Sequence, residues 1–343
     1  MPASDPVELT LVTANADGGA HLGGGETRPR PRFRARRRRP TVGLAVGISA
    51  VLLIIGLAGC SGGAETSGAA GSASPRRSPS AAESPTASNP DTDTTGMYDV
   101  GGHKLYMSCA GDGPSTVVFV HGWVDDAFVP HDHATGVRDR LVDDFRVCLY
   151  DRRNVGSSET VDAVQTPRDV VRDMRAVLKA GGEKPPYILW AASFGGLVAS
   201  AYLKAHPDDV IGVVFVDAMF PDELGLDRYL PRQRTFKHFD KEDECCTLER
   251  ISQFDLIRSL QSTIGREPDI PAVYLAAKWQ PRTVNDYGSP AYDARILDAQ
   301  AAFADRFSPG ILRWVEAPHV MEPVVPDVIA NAIREVDGLA SAS

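Results

Sequence analysis

The sequence predicts an α/β protein built on a doubly wound parallel sheet with helices on both faces. Three observations carry this. Short, continuous apolar runs recur along the second two-thirds of the chain, as expected of strands buried on both faces. Segments of helical periodicity alternate with them. The 247 residues from 97 to 343 have the composition of a globular protein and suffice for one large core, whereas residues 1–96 do not.

The elements follow in order. Residues 104–108 (KLYMS), 116–120 (TVVFV) and 145–150 (FRVCLY) read as strands, rich in β-branched and aromatic side chains. TPRDVVRDMRAVLKAGG, 166–182, reads as a helix with a threonine cap, a first-turn proline and a glycine stop. Residues 187–191 form the next strand and 194–205 the next helix, followed by a strand at 211–216. Residues 220–270 interrupt the alternation; they are polar and charged with scattered aromatics and read as a helical lid. The alternation resumes with a strand at 272–276, a helix at 290–306, a strand at 312–315 and a helix at 326–336.

The first 96 residues have a different character. Eight arginines lie between Arg28 and Arg39, followed by an uncharged apolar stretch from Thr41 to Cys60. Residues 61–95 contain no Val, Leu, Ile, Met or aromatic residue, so they cannot bury a core and read as an unstructured tether of roughly 30–35 Å mean span. The organisation expected is a basic region with a signal or membrane segment over 1–59, a linker over 60–96 and a catalytic-sized domain over 97–343, with its lid at about 220–270. The apolar stretch is long enough to span a bilayer, and LAGC at 57–60 resembles the bacterial lipobox, which implies cleavage and lipidation at Cys60. The alternative is an uncleaved single-pass anchor. Either places the domain on the extracytoplasmic face of the cell membrane, with the arginines as the positive flank. The chain carries a net charge of −9, but residues 97–343 carry 26 basic against 37 acidic side chains. Such an acidic domain is a poor match for nucleic acid, whose phosphates call for clustered Lys and Arg.

The chemistry centres on YILWAASFGGLVAS, 187–200. Ser193 lies between a buried strand and a helix start, where a sharp turn lifts the hydroxyl above the sheet and demands small residues two positions to either side. Ala191 and Gly195 meet that demand, so Ser193 reads as a nucleophile. The Phe194 amide, at a helix start, and the Trp123 amide, in the turn after 116–120, are the expected oxyanion donors. His121 reads as a residue that shapes that turn. The general base is expected late in the chain, after the last strand, where His319 stands; His131 and His133 read as lying in a polar loop, His206 ends a helix and His238 falls in the lid.

HGW (121–123), YDRRNVGSS (150–158), AASFGG (191–196), VDA (216–218) and APH (317–319) together resemble the α/β-hydrolase superfamily, in order and spacing over essentially all of 97–343. The resemblance implies a mostly parallel eight-stranded sheet, a Ser-His-acid triad and no cofactor. Three departures stand out: Ala191 for glycine, Asn154 for the usual glycine after YDR, and the acid. Many relatives carry the acid after the strand at 272–276, where no carboxylate occurs until Asp286; some carry it at the end of the preceding strand, where Asp217 lies. Asp217 is the expected acid and Asp286 the alternative.

In this fold the strands holding Cys109 and Cys148 would be neighbours, which implies a disulfide outside the cytoplasm. Cys245 and Cys246 are adjacent in the lid as a vicinal disulfide or two thiols, and the spacing of HFDKEDECC (238–246) is poor for a metal. The reading is a membrane-tethered serine hydrolase acting on a small-molecule ester, thioester or amide. A prolyl-type aminopeptidase is the alternative among enzymes, and a non-catalytic ligand-binding envelope protein the alternative outside them.

Overall fold

Eight strands form one sheet in the order β1-β2-β4-β3-β5-β6-β7-β8. They are β1 (Thr94–Asp99), β2 (Lys104–Ala110), β3 (Thr116–Val120), β4 (Arg146–Tyr150), β5 (Tyr187–Ala192), β6 (Val210–Val216), β7 (Ala272–Ala277) and β8 (Gly310–Val315). β2 runs antiparallel to both β1 and β4, and every other pairing is parallel. The computed structural model describes residues 92–124, 129–238, 249–278 and 289–342. The segment 41–60 with Cys60, the pair Cys245 and Cys246, and Asp286 lie outside the described residues. No helix among the described residues is long and apolar enough to cross a membrane.

The sheet separates two cores by strand alternation. Val118 and Val120 of β3 and Leu189 and Ala191 of β5 face one core, while Val117, Phe119, Ile188 and Trp190 face the other. Helices α2 (Pro167–Ala180) and α3 (Gly195–Ala205) cover the first face; α1 (Pro130–Arg138) and the final helix (Pro326–Ser341) cover the second. The start of α2 is fixed by a capping box in which Thr166 and Asp169 bond each other's backbone, an arrangement worth about 1 kcal/mol.

Two expectations are corrected. β1 was not legible as a strand, and it begins at Thr94, inside the segment assigned to the linker. Its residues alternate half-buried and exposed at the sheet edge, so no apolar run marks it. His131 and His133 lie in α1 rather than in a loop, because Pro130 occupies its first turn. The insertion between β6 and β7 is helical where it is described, with the short α4 (Glu223–Leu226), helical residues at 236–238 and α5 (Gln253–Ser259), and 3-10 turns between. After β7 comes α6 (Pro290–Ala304); the final helix is α7.

Cys109 and Cys148 stand directly opposite in the antiparallel β2/β4 ladder, with Cα atoms 4.1 Å apart, and are joined as a disulfide. Asn154 has φ of 73°. That left-handed conformation suits glycine, and asparagine is among the few other residues that tolerate it. Its side-chain oxygen also accepts from the Val161 amide at 2.5 Å, which holds the turn.

Candidate active site

The parallel strands end on one rim of the sheet, and the predicted residues converge there. Ser193 follows β5 with φ of 49°, and Asp217 follows the neighbouring β6 with φ of 38°. Two side-by-side strands therefore each end in a non-glycine residue held left-handed, a strain typical of functional sites. Backbone bonds hold the turn in place: the Ser193 amide donates to Val216 O at 3.1 Å, and Ser193 O accepts from the amides of Gly196 at 3.0 Å and Met219 at 2.8 Å. The small residues beyond the serine are a matter of space. A Cβ on Gly195 would stand 2.0 Å from Val120 O, and one on Gly196 would stand 2.2 Å from Met219 O. Ala191 is fully buried, paired with Val120 on one side and Phe215 on the other.

His319, after β8, joins the two. The Ser193 hydroxyl lies 2.9 Å from His319 Nε2, and His319 Nδ1 lies 2.7 Å from Asp217 Oδ2. An ionised carboxylate can only accept, so Nδ1 carries the proton and Nε2 is left to accept from the serine. The other carboxylate oxygen of Asp217 accepts from the Ala277 amide at 3.0 Å, which fixes the carboxylate in the rim.

Trp123 and Phe194 flank the serine. Their rings meet edge-to-face at 4.8 Å, and a Cβ on Gly122 would stand 3.0 Å from Ser193 Cβ. Neither the Trp123 nor the Phe194 amide has an acceptor among the described residues. Both amides therefore have donor capacity beside the hydroxyl.

His121 is fully buried and serves the turn, as predicted. Its Nδ1 donates to Gly122 O at 2.8 Å, and its Nε2 accepts from the Arg152 amide at 3.1 Å. Burial, reinforced by the Arg152 charge, holds its pKa well below the usual histidine value, so it remains neutral. His131 pairs instead with the buried Asp151, at 2.8 Å.

Two small cavities border Ser193 and His319. One, of about 230 Å³, is roofed by the lid and lined by Met219, Glu223, Leu230, Tyr292 and Ile296. The other, of about 160 Å³, is lined by Trp123, His133, Val320 and Glu322. A larger groove of about 1180 Å³ lies between α2 and α3, and neither Ser193 nor His319 lines it.

Glu322 was missed in the sequence. Burial pushes its carboxyl up to about 7 from 4.5, against the opposing effect of two backbone N–H bonds and of His319. One of its oxygens is buried without a partner. A pKa raised on folding makes stability fall as pH rises from about 4.5 to about 7, because the unfolded chain ionises first. Glu322→Gln should remove that loss. Its advantage over wild type in urea unfolding is expected to grow between pH 5 and pH 8, approaching about 3 kcal/mol for a shift of that size. A gap that does not change with pH would contradict the assignment.

The family described as "Alpha/beta hydrolase family" matches residues 117–340. The pimeloyl-[acyl-carrier protein] methyl ester esterase of Yersinia enterocolitica is 31% identical over 115 residues, 34% of this chain and 41% of that protein. The proline iminopeptidase of Arabidopsis thaliana is 31% identical over 118 residues, 33% of this chain and 29% of that protein. The matches span about 39–42% of the length of the first curated relatives. Among solved structures, a thermophilic esterase from Thermogutta terrifontis superposes with a TM-score of 0.51 at 20% identity, over 73% of this chain and 99% of that one. That likeness is one of fold.

Proposed function

The chain belongs to the alpha/beta hydrolase family, and from that premise we propose that it is a serine hydrolase of small carboxylic esters. The observation that carries the proposal is the unbroken chain Asp217–His319–Ser193, with contacts of 2.7 and 2.9 Å at the strand ends. In the proposed reaction the Ser193 oxygen attacks the substrate carbonyl carbon while its proton passes to His319 Nε2. The carbonyl oxygen takes up the electron pair as an oxyanion, facing the Trp123 and Phe194 amides. Collapse of the intermediate expels the alcohol, which takes the proton from the imidazolium. Water then repeats the sequence on the acyl-serine, releasing the acid and restoring the hydroxyl. Asp217 holds the tautomer and balances the transient charge on His319.

The two small cavities favour a compact substrate laid across the serine, with one portion under the lid and the other beside Trp123. The similarity to methyl ester esterases supports an ester as the bond cleaved. An aminoacyl amide is the second reading. It is favoured by Glu223, a buried carboxylate lining the lid-side cavity with the chemistry to hold a substrate ammonium. A fluorophosphonate should label the wild-type protein at Ser193, mapped by peptide mass spectrometry, and a panel of esters and aminoacyl amides then separates the two readings. Labelling that maps to another residue would sink the nucleophile assignment.

The same proposal places the domain outside the cytoplasm, held to the membrane by a lipid on Cys60. LAGC supports the lipid, and the Cys109–Cys148 disulfide supports an oxidising compartment. The mature protein is expected to begin at Cys60 and to partition into detergent. Retention of residues 1–59 in intact-mass spectra of the membrane-bound protein would favour the uncleaved anchor instead.

A further inference from the structure

We propose that Arg152 and the lid residue Glu249 form a clamp that sets the oxyanion hole, so that the lid and the hole are one mechanical unit. The inference rests on the reading of Ser193 as nucleophile and adds two positioning residues to it.

The geometry begins with the turn after β3. The Arg152 guanidinium donates through Nη1 to His121 O at 2.5 Å and through Nη2 to Gly122 O at 2.7 Å. In a planar trans peptide, the C=O of one residue and the N–H of the next point in opposite directions. Fixing the Gly122 carbonyl therefore fixes the direction of the Trp123 N–H, which is turned away from the guanidinium. His121 reinforces the same carbonyl at 2.8 Å. The guanidinium also lies 5.4 Å from the centre of the Phe194 ring, so it underlies both residues that carry the candidate donors.

Glu249 holds the guanidinium. Its carboxylate receives Arg152 Nε at 2.6 Å and Nη2 at 2.8 Å, a two-pronged pairing that a lysine could not reproduce. The Val124 amide, one residue beyond Trp123, also donates to this carboxylate. Arg152 is almost fully buried and Glu249 completely so, so the pair works in a low dielectric and cannot be satisfied by water. Glu249 sits on the returning stem of the lid. That stem is docked to the core: the Gln165 side chain donates to Glu249 O, the Gln165 amide donates to Arg250 O at 2.7 Å, and Gln165 forms a bridge with Ile251. The chain enters the lid just after Met219, whose amide donates to Ser193 O at 2.8 Å. Both stems of the lid are thus bonded to the catalytic rim.

A clamp that acts on the oxyanion hole must affect the transition state more than the ground state. Loss of one oxyanion donor costs about 10²–10³ in kcat. Arg152→Lys and Glu249→Gln are to be measured per active site, counted by end-point fluorophosphonate titration. Each is expected to lower kcat by about 10²-fold with KM within about threefold, and to weaken a trifluoromethyl ketone, which forms a tetrahedral oxyanion on the serine, in parallel with kcat. A purely structural role would reduce the number of titratable sites and the Tm but leave kcat per site unchanged. kcat per site within about threefold of wild type would overturn the clamp, as would a loss carried wholly by KM. Should one variant fail to fold, the other decides, since each breaks the pairing from a different side. Ser193→Ala in the same assay separates the two layers: retained turnover there removes the nucleophile reading itself, whereas its loss alongside unaffected clamp variants removes only the clamp.

Discussion

Ser193→Ala is expected to lower kcat on an activated ester by about 10⁶-fold, the scale seen when one member of a cooperative nucleophile–base pair is removed. The Ser193 hydroxyl lies 2.9 Å from His319 Nε2, within reach of proton transfer to the proposed base. The backbone of the turn is held independently of the side chain, by the bonds of Ser193 N and O to Val216, Gly196 and Met219. The variant should therefore fold with a Tm close to wild type. Residual turnover should persist at about 10³–10⁴ above the uncatalysed rate, from the oxyanion donors and substrate binding alone. Stopped-flow and steady-state assays on the same preparation check this; turnover within tenfold of wild type would place the nucleophile elsewhere.

Asp217→Asn carries the second-largest expectation, a loss of about 10⁴-fold in kcat. Oδ1 of Asp217 accepts from the Ala277 amide at 3.0 Å, and an asparagine would keep its oxygen on that donor. Its NH₂ would then face His319 Nδ1, which would have to become an acceptor. The ring proton would move to Nε2 and point at the serine, so the base would be lost although every heavy atom stayed in place. Asp286 lies outside the described residues, and the 2.7 Å contact of His319 Nδ1 with Asp217 favours Asp217 as the acid. Asp286→Asn is expected to stay within about tenfold of wild type. The reverse ranking, in variants of matched Tm, would move the acid to the later position.

The departures from the family pattern are instructive here. Asn154 occupies a left-handed position that glycine usually fills, with φ of 73°, and pays for it with the bond from Val161. Asp217 could be named from the sequence because a carboxylate stood at the end of an apolar strand, but its choice over Asp286 depended on which residue reaches His319. Arg152 was visible in YDRRNVGSS with nothing to assign it a role, since its partner Glu249 lies 97 positions away. His131 was misread because a polar stretch behind a proline resembles a loop until it is seen to form the first turn of α1.

The residues alone determined the features that are local in origin. Buried strands need unbroken apolar runs, helices need caps and a 3.6-residue period, and a tight strand-to-helix turn needs small residues around its serine. Each of these is set by sterics and solvation within a few neighbouring positions, so each is written in consecutive letters. The tertiary structure decided the rest: that β1 closes the sheet edge, that Asp217 reaches His319, that Glu249 reaches Arg152, and that Glu322 is buried beside the site. These are meetings of residues distant in the chain. Their energies come from desolvation and directed hydrogen bonds, which exist only once the strand order and the path of the lid have brought the groups together.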